Sequence, residues 1–153
     1  EAKAYCDSRG VKYIERTGTT DDEIVQAANE LVEDGCKVVF TPADYTVLTA
    51  EREISQIFIN GKVAHYTAAD AFVNEGALFS YGINYETLGE MAAEMAADVL
   101  VHGKLPKKMA VQIPKERMIT INTDTAAALG IDVSIFEGKA DKFVCVQTRM
   151  EEE

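Results

Sequence analysis

Apolar and polar residues alternate along the chain with two periods, one typical of strands and one typical of helices. Both periods are clearest in residues 76–103. That segment opens with a short apolar strand pattern and continues into a helical pattern with apolar residues every three or four positions. Acidic residues line another face of this helix, which is typical of an amphipathic helix. Asn84 can cap its first turn, and Gly103 can end it. Such a helix must cover an apolar surface.

The amino-terminal part of the chain predicts a helix, a strand and a second helix. Residues 2–9 have the pattern of the end of a helix that stops at Gly10. Residues 11–16 alternate and carry β-branched and aromatic side chains, as a strand does. Thr20 opens a capping-box pattern, and the helix that follows is expected to end at Gly35.

The same alternation continues up to the long helix. Residues 37–40 are a continuous apolar run, which indicates a strand covered on both faces. Asp44 can cap the next helix, and Gly61 closes it. Residues 62–66 predict a third strand, and residues 67–75 have no regular pattern.

After Gly103 the pattern predicts two extended pieces, residues 110–114 and 118–123, and then a short helix that ends at Gly130. Strands that alternate with helices through short connections imply right-handed crossovers. We therefore predict an α/β fold, a parallel sheet flanked by helices.

Composition narrows the classes of function. The chain has 153 residues, 47% of them hydrophobic, and a net charge of −11, so we expect one soluble α/β unit and no nucleic-acid partner. Cys6, Cys36 and Cys145 form no CxxC motif, and we interpret them as buried thiols. The histidines, His65 and His102, have no zinc-site spacing, and His65 in a strand pattern is expected to be packed or hydrogen bonded.

The sequence shows no motif for catalysis or for a cofactor. It lacks GxGxxG, GxxxxGK[ST] and a nucleophile with an adjacent base, so we predict no enzyme activity, no cofactor and no metal. No signal peptide or membrane-span pattern is present. Because the chain begins Glu-Ala-Lys without an initiator Met, we expect it to be a piece of a longer protein, preceded by an export signal.

Three loops are expected beyond the carboxyl ends of the predicted strands: residues 17–22, 41–46 and 67–70. Ligands of open parallel sheets lie at this edge, where helix N-termini also point. The hydroxyl and carboxylate groups in these loops include Thr17, Thr19, Thr20, Asp44, Thr46, Thr67 and Asp70. Taken singly, Thr20 and Asp44 are explained as helix caps, but together the loops suit a small polar ligand.

Four segments carry a family resemblance: DEIVQAANELVEDGCKVVF from Asp22, TPADYTV from Thr41, GALFSYGINYETLGEMAAEMAADVL from Gly76 and INTDTAAALGI from Ile121. In this order they resemble the solute-binding proteins of ABC importers, in the family that includes tryptophan- and tyrosine-binding members. The resemblance implies a Rossmann-like lobe of a type I periplasmic binding protein, with this chain as its carboxyl-terminal half. It also implies a small ligand, an amino acid, held in a cleft between two lobes.

The resemblance also implies domain bounds. Residues 1–80 and 110–153 would form the carboxyl-terminal lobe. Residues 81–109 would be a crossing segment that packs on an amino-terminal lobe outside this chain.

The ligand-binding residues that the resemblance and the strand-edge loops suggest are Thr19, Thr20, Asp44, Tyr45, Thr46, Asp70 and Phe72. Helix N-terminal amides and Thr46 would hold a carboxylate, and Asp44 or Asp70 an ammonium group. Tyr45 or Phe72 would contact an apolar or aromatic side chain, although family members commonly have a small polar residue at the position of Tyr45.

As the substrate-binding component of an importer, the protein would deliver its ligand to an ABC permease. It would lie at the extracellular face of the membrane or in the periplasm, with a lipid anchor in the full-length protein. Two alternatives remain open at this point: a self-contained flavodoxin-like enzyme or regulatory domain, and the effector-sensing lobe of a transcription regulator.

An absent first lobe would leave the apolar stripe of the long helix without a surface to cover. The stripe consists of Leu88, Met91, Met95 and Val99. Burying each such side chain is worth about 1.5 to 3 kcal/mol. We therefore expect the helix to fold back on the sheet, or to pack against a second copy and make the fragment a homodimer or larger.

Overall fold

The computed structural model of the protein describes residues 2–149. Its strands are β1 (Val38–Thr41), β2 (Ala64–Thr67), β3 (Phe79–Gly82), β4 (Met118–Asn122) and β5 (Lys142–Val146). Its α-helices are α1 (Ala2–Arg9), α2 (Asp21–Glu33), α3 (Tyr45–Asn60), α4 (Asp70–Glu75), α5 (Tyr85–Leu100) and α6 (Thr123–Leu129). Short 3-10 turns lie at Pro106–Lys108 and Val133–Phe136.

The described strands form one five-stranded sheet in the order β1-β2-β3-β4-β5. Neighbours are parallel except for β3 and β4, which are antiparallel. The predicted α/β fold, a parallel sheet flanked by helices, is confirmed apart from this one antiparallel pair. The exception arises because the chain leaves the sheet after β3 to form α5. It then re-enters the sheet at the edge where β3 ends, so β4 runs in the opposite direction to β3.

The two faces of the sheet differ in chemistry. Thr41, Thr67 and Ser80 lie side by side in register on one face, which α3 and α4 cover. Phe40, Tyr66 and Phe79 form an aromatic row on the other, with ring centroids 5.0 and 4.7 Å apart. The main core lies between the sheet and α2, α3 and α4, and contains Val39, Ile54, Phe58, Val63 and Phe72.

Two strand predictions are wrong at the amino-terminal side of the sheet. Residues 11–16, all described, form no strand, and Val11, Tyr13 and Ile14 are exposed. Alternation favours an extended backbone, but a strand also needs a neighbour, and none of the described strands lies beside this segment. In β1, Val39 is buried but Val38 is 65% exposed, so this edge strand is covered on one face only.

Other predictions require smaller corrections. Residues 67–75 are not irregular throughout, because Asp70–Glu75 form α4. The extended piece 110–114 joins no sheet, whereas β5 was not predicted. The interpretation of the cysteines as buried thiols is wrong: Cys145 is exposed, and Cys6 and Cys36 are half-buried.

The long helix starts as its sequence predicts, and it stands apart from the core. Asn84 Oδ1 accepts a hydrogen bond from Glu86 N at 3.0 Å, and Gly103 has a φ of +65°. Within the described chain, α5 has no buried residue, and the stripe of Leu88, Met91, Met95 and Val99 is half-buried. The domain bounds, the packing of α5 on another lobe and the homodimer stay predictions.

None of the helices in residues 2–149 combines the length and the apolar character needed to cross a membrane.

Candidate functional site

A cavity of about 320 Å³ opens where the parallel strands β1 and β2 end side by side. The loops that follow these strands lead into α3 and α4, and α5 begins nearby. The lining residues come from these three places: Ala43, Asp44, Tyr45, Leu48, Ala69, Asp70, Ala71, Phe72 and Tyr85. The carboxyl edge of the sheet therefore holds a cavity where the sequence predicts a ligand.

Asp44 is fixed at this edge by its role as a helix cap. Its Oδ1 accepts hydrogen bonds from Thr46 N at 2.9 Å and from Val47 N at 3.3 Å. The positive end of the α3 dipole favours a negative charge at this position. The predicted cap is confirmed, and the same local geometry brings the Asp44 carboxylate to the cavity wall.

Aromatic side chains line the cavity in two different environments. Phe72 is 2% exposed and belongs to the core, whereas Tyr45 is 80% and Tyr85 50% exposed. The two tyrosines are therefore accessible surfaces on which a ligand could pack. Sequence reasoning did not select Tyr85. The signal that could have found it is its place after the Asn84 cap, where α5 begins.

The cavity brings together Asp44, Tyr45, Asp70 and Phe72 from the predicted ligand-binding set. Thr46 follows them along the first turn of α3 but is not part of the lining. A role of any of these residues in ligand binding stays a prediction.

Thr19 and Thr20 lie outside the cavity lining and are used to start α2. The Thr19 backbone N and Oγ1 donate to Glu23 Oε2 at 2.7 and 2.8 Å, and these bonds lower the pKa of Glu23. Thr20 Oγ1 accepts a hydrogen bond from Glu23 N at 3.3 Å. The loop still lies close to α3, because Thr49 Oγ1 donates to Asp21 Oδ1 at 2.8 Å.

A larger depression of about 520 Å³ lies elsewhere, along the outer side of α2. Its lining is Asp22, Val25, Gln26, Asn29, Glu30 and Glu33. All of these residues belong to one helix, so the depression is a groove between its side chains and lacks a strand end or a second wall. We therefore assign the candidate site to the smaller cavity.

A buried polar cluster lies between β1, β2 and α3. His65 Nε2 lies 2.9 Å from Thr41 Oγ1, and His65 Nδ1 lies 3.0 Å from Glu51 Oε1. His65 is 2% exposed, which confirms the prediction of a packed or hydrogen-bonded histidine. Burial raises the pKa of Glu51, whereas the interaction with His65 opposes that rise. The sequence did not reveal Glu51, which reads there as an ordinary acidic helix residue.

The described residues hold no group of three or more His, Cys, Asp and Glu side chains that could bind a metal ion.

The fold and the cavity define a class: an α/β lobe with a cavity at the carboxyl ends of parallel strands, the edge at which such sheets bind small ligands. Residues 1–136 match the model of the family described as ABC transporter substrate binding protein. The chain belongs to this family. This membership confirms the resemblance seen in the sequence, and the family is one of substrate-binding proteins and not of enzymes.

One relative is a tyrosine-binding protein from Clostridioides difficile (strain R20291). It is 31% identical over 125 residues, which cover 82% of this chain and 36% of the relative. The chain thus spans about a third of the length of this curated relative.

Solved structures show the same fold. The chain is similar to the ligand-free, open structure of a substrate-binding protein with adhesive properties from Clostridium difficile, with a TM-score of 0.75 and 30% identity. That match covers 97% of this chain and 48% of the other. The chain is also similar to an ABC domain in complex with L-Trp from Streptococcus pneumonia, with a TM-score of 0.77 and 24% identity. This match covers 93% of this chain and 48% of the other.

Proposed function

We propose that the protein binds a small amino-acid-like solute, possessing an aromatic side chain, in the cavity at the ends of β1 and β2. This proposal rests on one observation: the same cavity is lined by two acidic residues, Asp44 and Asp70, and by two tyrosines, Tyr45 and Tyr85. Acidic groups suit an ammonium ion, and aromatic faces suit an apolar or aromatic side chain. The tyrosine-binding relative and the L-Trp complex support the same class of ligand.

The carboxylate of the ligand needs a separate partner. The amides of Thr46 and Val47 already donate to Asp44 Oδ1, so the cap partly occupies the helix end that would otherwise hold an anion. The hydroxyl groups of Thr46 and Thr20 are the donors that we assign to the rim of the site. Thr19 Oγ1 already donates to Glu23 Oε2, so we assign Thr19 to the rim as a hydrogen-bond acceptor. Phe72 supports the cavity wall from the core.

We further propose that residues 1–80 and 110–153 form the carboxyl-terminal lobe and that residues 81–109 cross to an amino-terminal lobe. The chain spans about half of the solved relatives, and α5 leaves the sheet without burying a described residue. The full-length protein would close two lobes on its ligand and deliver it to an ABC permease. It would do so at the extracellular face or in the periplasm, held by a lipid anchor.

A ligand screen on the full-length protein tests the proposed function. Ligands that bind the folded state raise the melting temperature. We expect L-tyrosine, L-tryptophan or a related amino acid to raise it in a thermal-shift assay. A rise with sugars or nucleosides and none with any amino acid would overturn the ligand assignment.

Variants of Asp44 separate its charge from its capping role. Asp44→Asn keeps a side-chain oxygen for the α3 cap and removes the charge, whereas Asp44→Ala removes both. We expect Asp44→Asn to weaken amino-acid binding by about 1.5 to 3 kcal/mol with little change in melting temperature. Asp44→Ala should also destabilise the fold by about 1 kcal/mol.

Calorimetric titration together with thermal unfolding gives both numbers for each variant. If Asp44→Asn binds the ligand as tightly as the wild type, Asp44 is a cap and nothing more.

A further inference from the structure

The buried polar cluster reaches the end of β1, three residues before Asp44 of the candidate site. Thr41 is the last residue of β1, and Ala43 and Asp44 of the cavity wall follow it closely. His65 on β2 lies between Thr41 and Glu51 on α3, at 2.9 and 3.0 Å. The side chains of Glu51 and His65 are almost completely buried. Three elements thus contribute to one chain of polar contacts that ends at the Asp44 loop.

Packing alone does not explain this cluster. Glu51 lies on the inner side of α3, among the buried apolar residues Val47, Ile54 and Phe58. The ring of Phe58 packs against His65 with centroids 5.0 Å apart. A hydrophobic residue in place of Glu51 would avoid the cost of removing a carboxyl group from water.

The cluster is also incompletely satisfied. Although His65 Nδ1 and Glu51 Oε1 approach to 3.0 Å, neither Glu51 oxygen nor His65 Nδ1 makes a well-aligned hydrogen bond within the described chain. Buried polar groups without good partners lower stability, and in native proteins each one calls for a reason. A role in ligand binding is such a reason.

Charged groups from the elements around α3 also act on Glu51. Burial raises the pKa of Glu51, and the negative charge of Glu75 on α4 raises it further. Glu75 is itself paired with Arg52 at 2.7 Å and with Arg149 at 4.0 Å. On α2, Asp21 contacts Thr49 of α3. Thr49 and Glu51 are two positions apart, about 200° around the helix, so Asp21 lies on the side of α3 away from Glu51.

From this geometry we infer that Thr41, His65 and Glu51 form a positioning relay that holds the Asp44 loop and makes ligand affinity depend on pH. The inference rests on the proposed function, because it concerns the same site. A histidine nitrogen either donates or accepts, depending on where the proton is. A change in the protonation of the Glu51 carboxyl changes whether His65 Nδ1 faces a donor or an acceptor, and therefore whether His65 Nε2 donates to the Thr41 hydroxyl or accepts from it.

The loop after Thr41 is short and constrained, so it can transmit such a change. Pro42 has a fixed φ angle, and Asp44 N donates to the Pro42 carbonyl at 2.9 Å. A rotation or loss of the Thr41 contact acts at the base of this turn. Its effect reaches the Asp44 carboxylate within three residues.

Variants of Thr41 in the full-length protein give a matched test. Thr41→Val keeps the β-branched shape and removes the hydroxyl group, whereas Thr41→Ser keeps the hydroxyl group. L-tyrosine and L-tryptophan would be titrated calorimetrically from about pH 4 to pH 8, a range that begins near the ordinary pKa of a glutamic acid and extends above it, because the pKa of Glu51 is raised by burial. We expect Thr41→Val to weaken binding about two- to tenfold. It should also flatten the pH profile, and Thr41→Ser should restore both.

A second variant acts on the other end of the relay. Glu51→Gln removes a titrating group and should flatten the same pH profile, whereas Glu53→Gln, at an exposed position of α3, should leave it unchanged. Circular dichroism establishes that each variant is folded, and His65→Gln replaces Glu51→Gln if the latter does not fold.

The outcomes distinguish the two hypotheses. If the wild type binds an amino acid and both Thr41→Val and Glu51→Gln keep its pH profile, the relay is wrong while the proposed function stands. If the wild type binds neither amino acid, the proposed function fails for these ligands and the relay falls with it.

Discussion

The carboxyl group of Glu51 lies in the interior of the lobe, with none of its surface exposed. Its pKa is raised mainly by burial. A raised pKa means that the folded protein binds this proton more tightly than the unfolded chain does. The corresponding stability is complete below the pKa of an unfolded glutamic acid, about 4.3, and is lost as pH rises through the higher pKa of the folded state.

The replacement Glu51→Gln should therefore change the pH dependence of stability. As pH rises above about 4, the free energy of unfolding of the wild type should fall relative to that of the variant. The difference should reach the order of 1 kcal/mol, the size expected for a buried polar group without good partners. Urea unfolding at several pH values measures it. Parallel curves for the wild type and Glu51→Gln would contradict the raised pKa, and Glu53→Gln is the exposed control.

At the scale of elements, the turn from α4 into β3 depends on close contact with α3. Gly76 has a φ of +127°, and a Cβ atom there would lie 2.3 Å from Ser55 Oγ. Ser55 is buried, and its hydroxyl also donates to the Glu75 carbonyl at 3.4 Å. Both the backbone conformation and the limited space therefore require glycine at this position.

Gly76→Ala should destabilise the protein by about 2 kcal/mol or more, because backbone strain and overpacking act together. Gly89→Ala is the matched control, since Gly89 lies in α5 where a Cβ atom would meet open space. That change should stabilise α5 by about 0.5 to 1 kcal/mol. Thermal unfolding of both variants measures the difference. Equal melting temperatures would show that the α4 to β3 turn tolerates a side chain.

At the scale of the whole molecule, α5 and the edge of the sheet leave apolar surface without a described partner. The half-buried stripe of α5 consists of Leu88, Met91, Met95 and Val99. At the sheet edge, Val38 and Phe40 are 65% and 47% exposed. Exposed apolar patches of this kind mark contact surfaces.

We expect the protein of residues 1–153 to associate through the α5 stripe when it is prepared alone. Light scattering should give a mass above that of one chain. The double variant Leu88→Glu, Met95→Glu should reduce it to a single chain, because each buried apolar side chain contributes about 1.5 to 3 kcal/mol. Ala93→Glu with Ala97→Glu adds the same charge at exposed positions of α5 and should leave association unchanged. A monomer at every concentration would contradict the prediction.

The sequence by itself determined most of the helices and their ends, whereas the short helix α4 was not predicted. Thr20, Asp44 and Asn84 cap α2, α3 and α5 as expected, and Gly130 ends α6 with a φ of +69°. These features depend on contacts between residues within four positions of one another, so the local sequence contains the necessary information. The family resemblance could also be read there, because it depends on the order of short motifs.

Only the tertiary structure decided which strands pair and which side chains meet. Residues 11–16 have the pattern of a strand, but pairing depends on a neighbouring strand that the local sequence does not specify. The antiparallel entry of β4 follows from the direction in which α5 leaves the sheet. Tyr85 joins the cavity, and Glu51 meets His65, through contacts between residues far apart in sequence. Such contacts depend on how whole elements pack, which periodicity and capping do not encode.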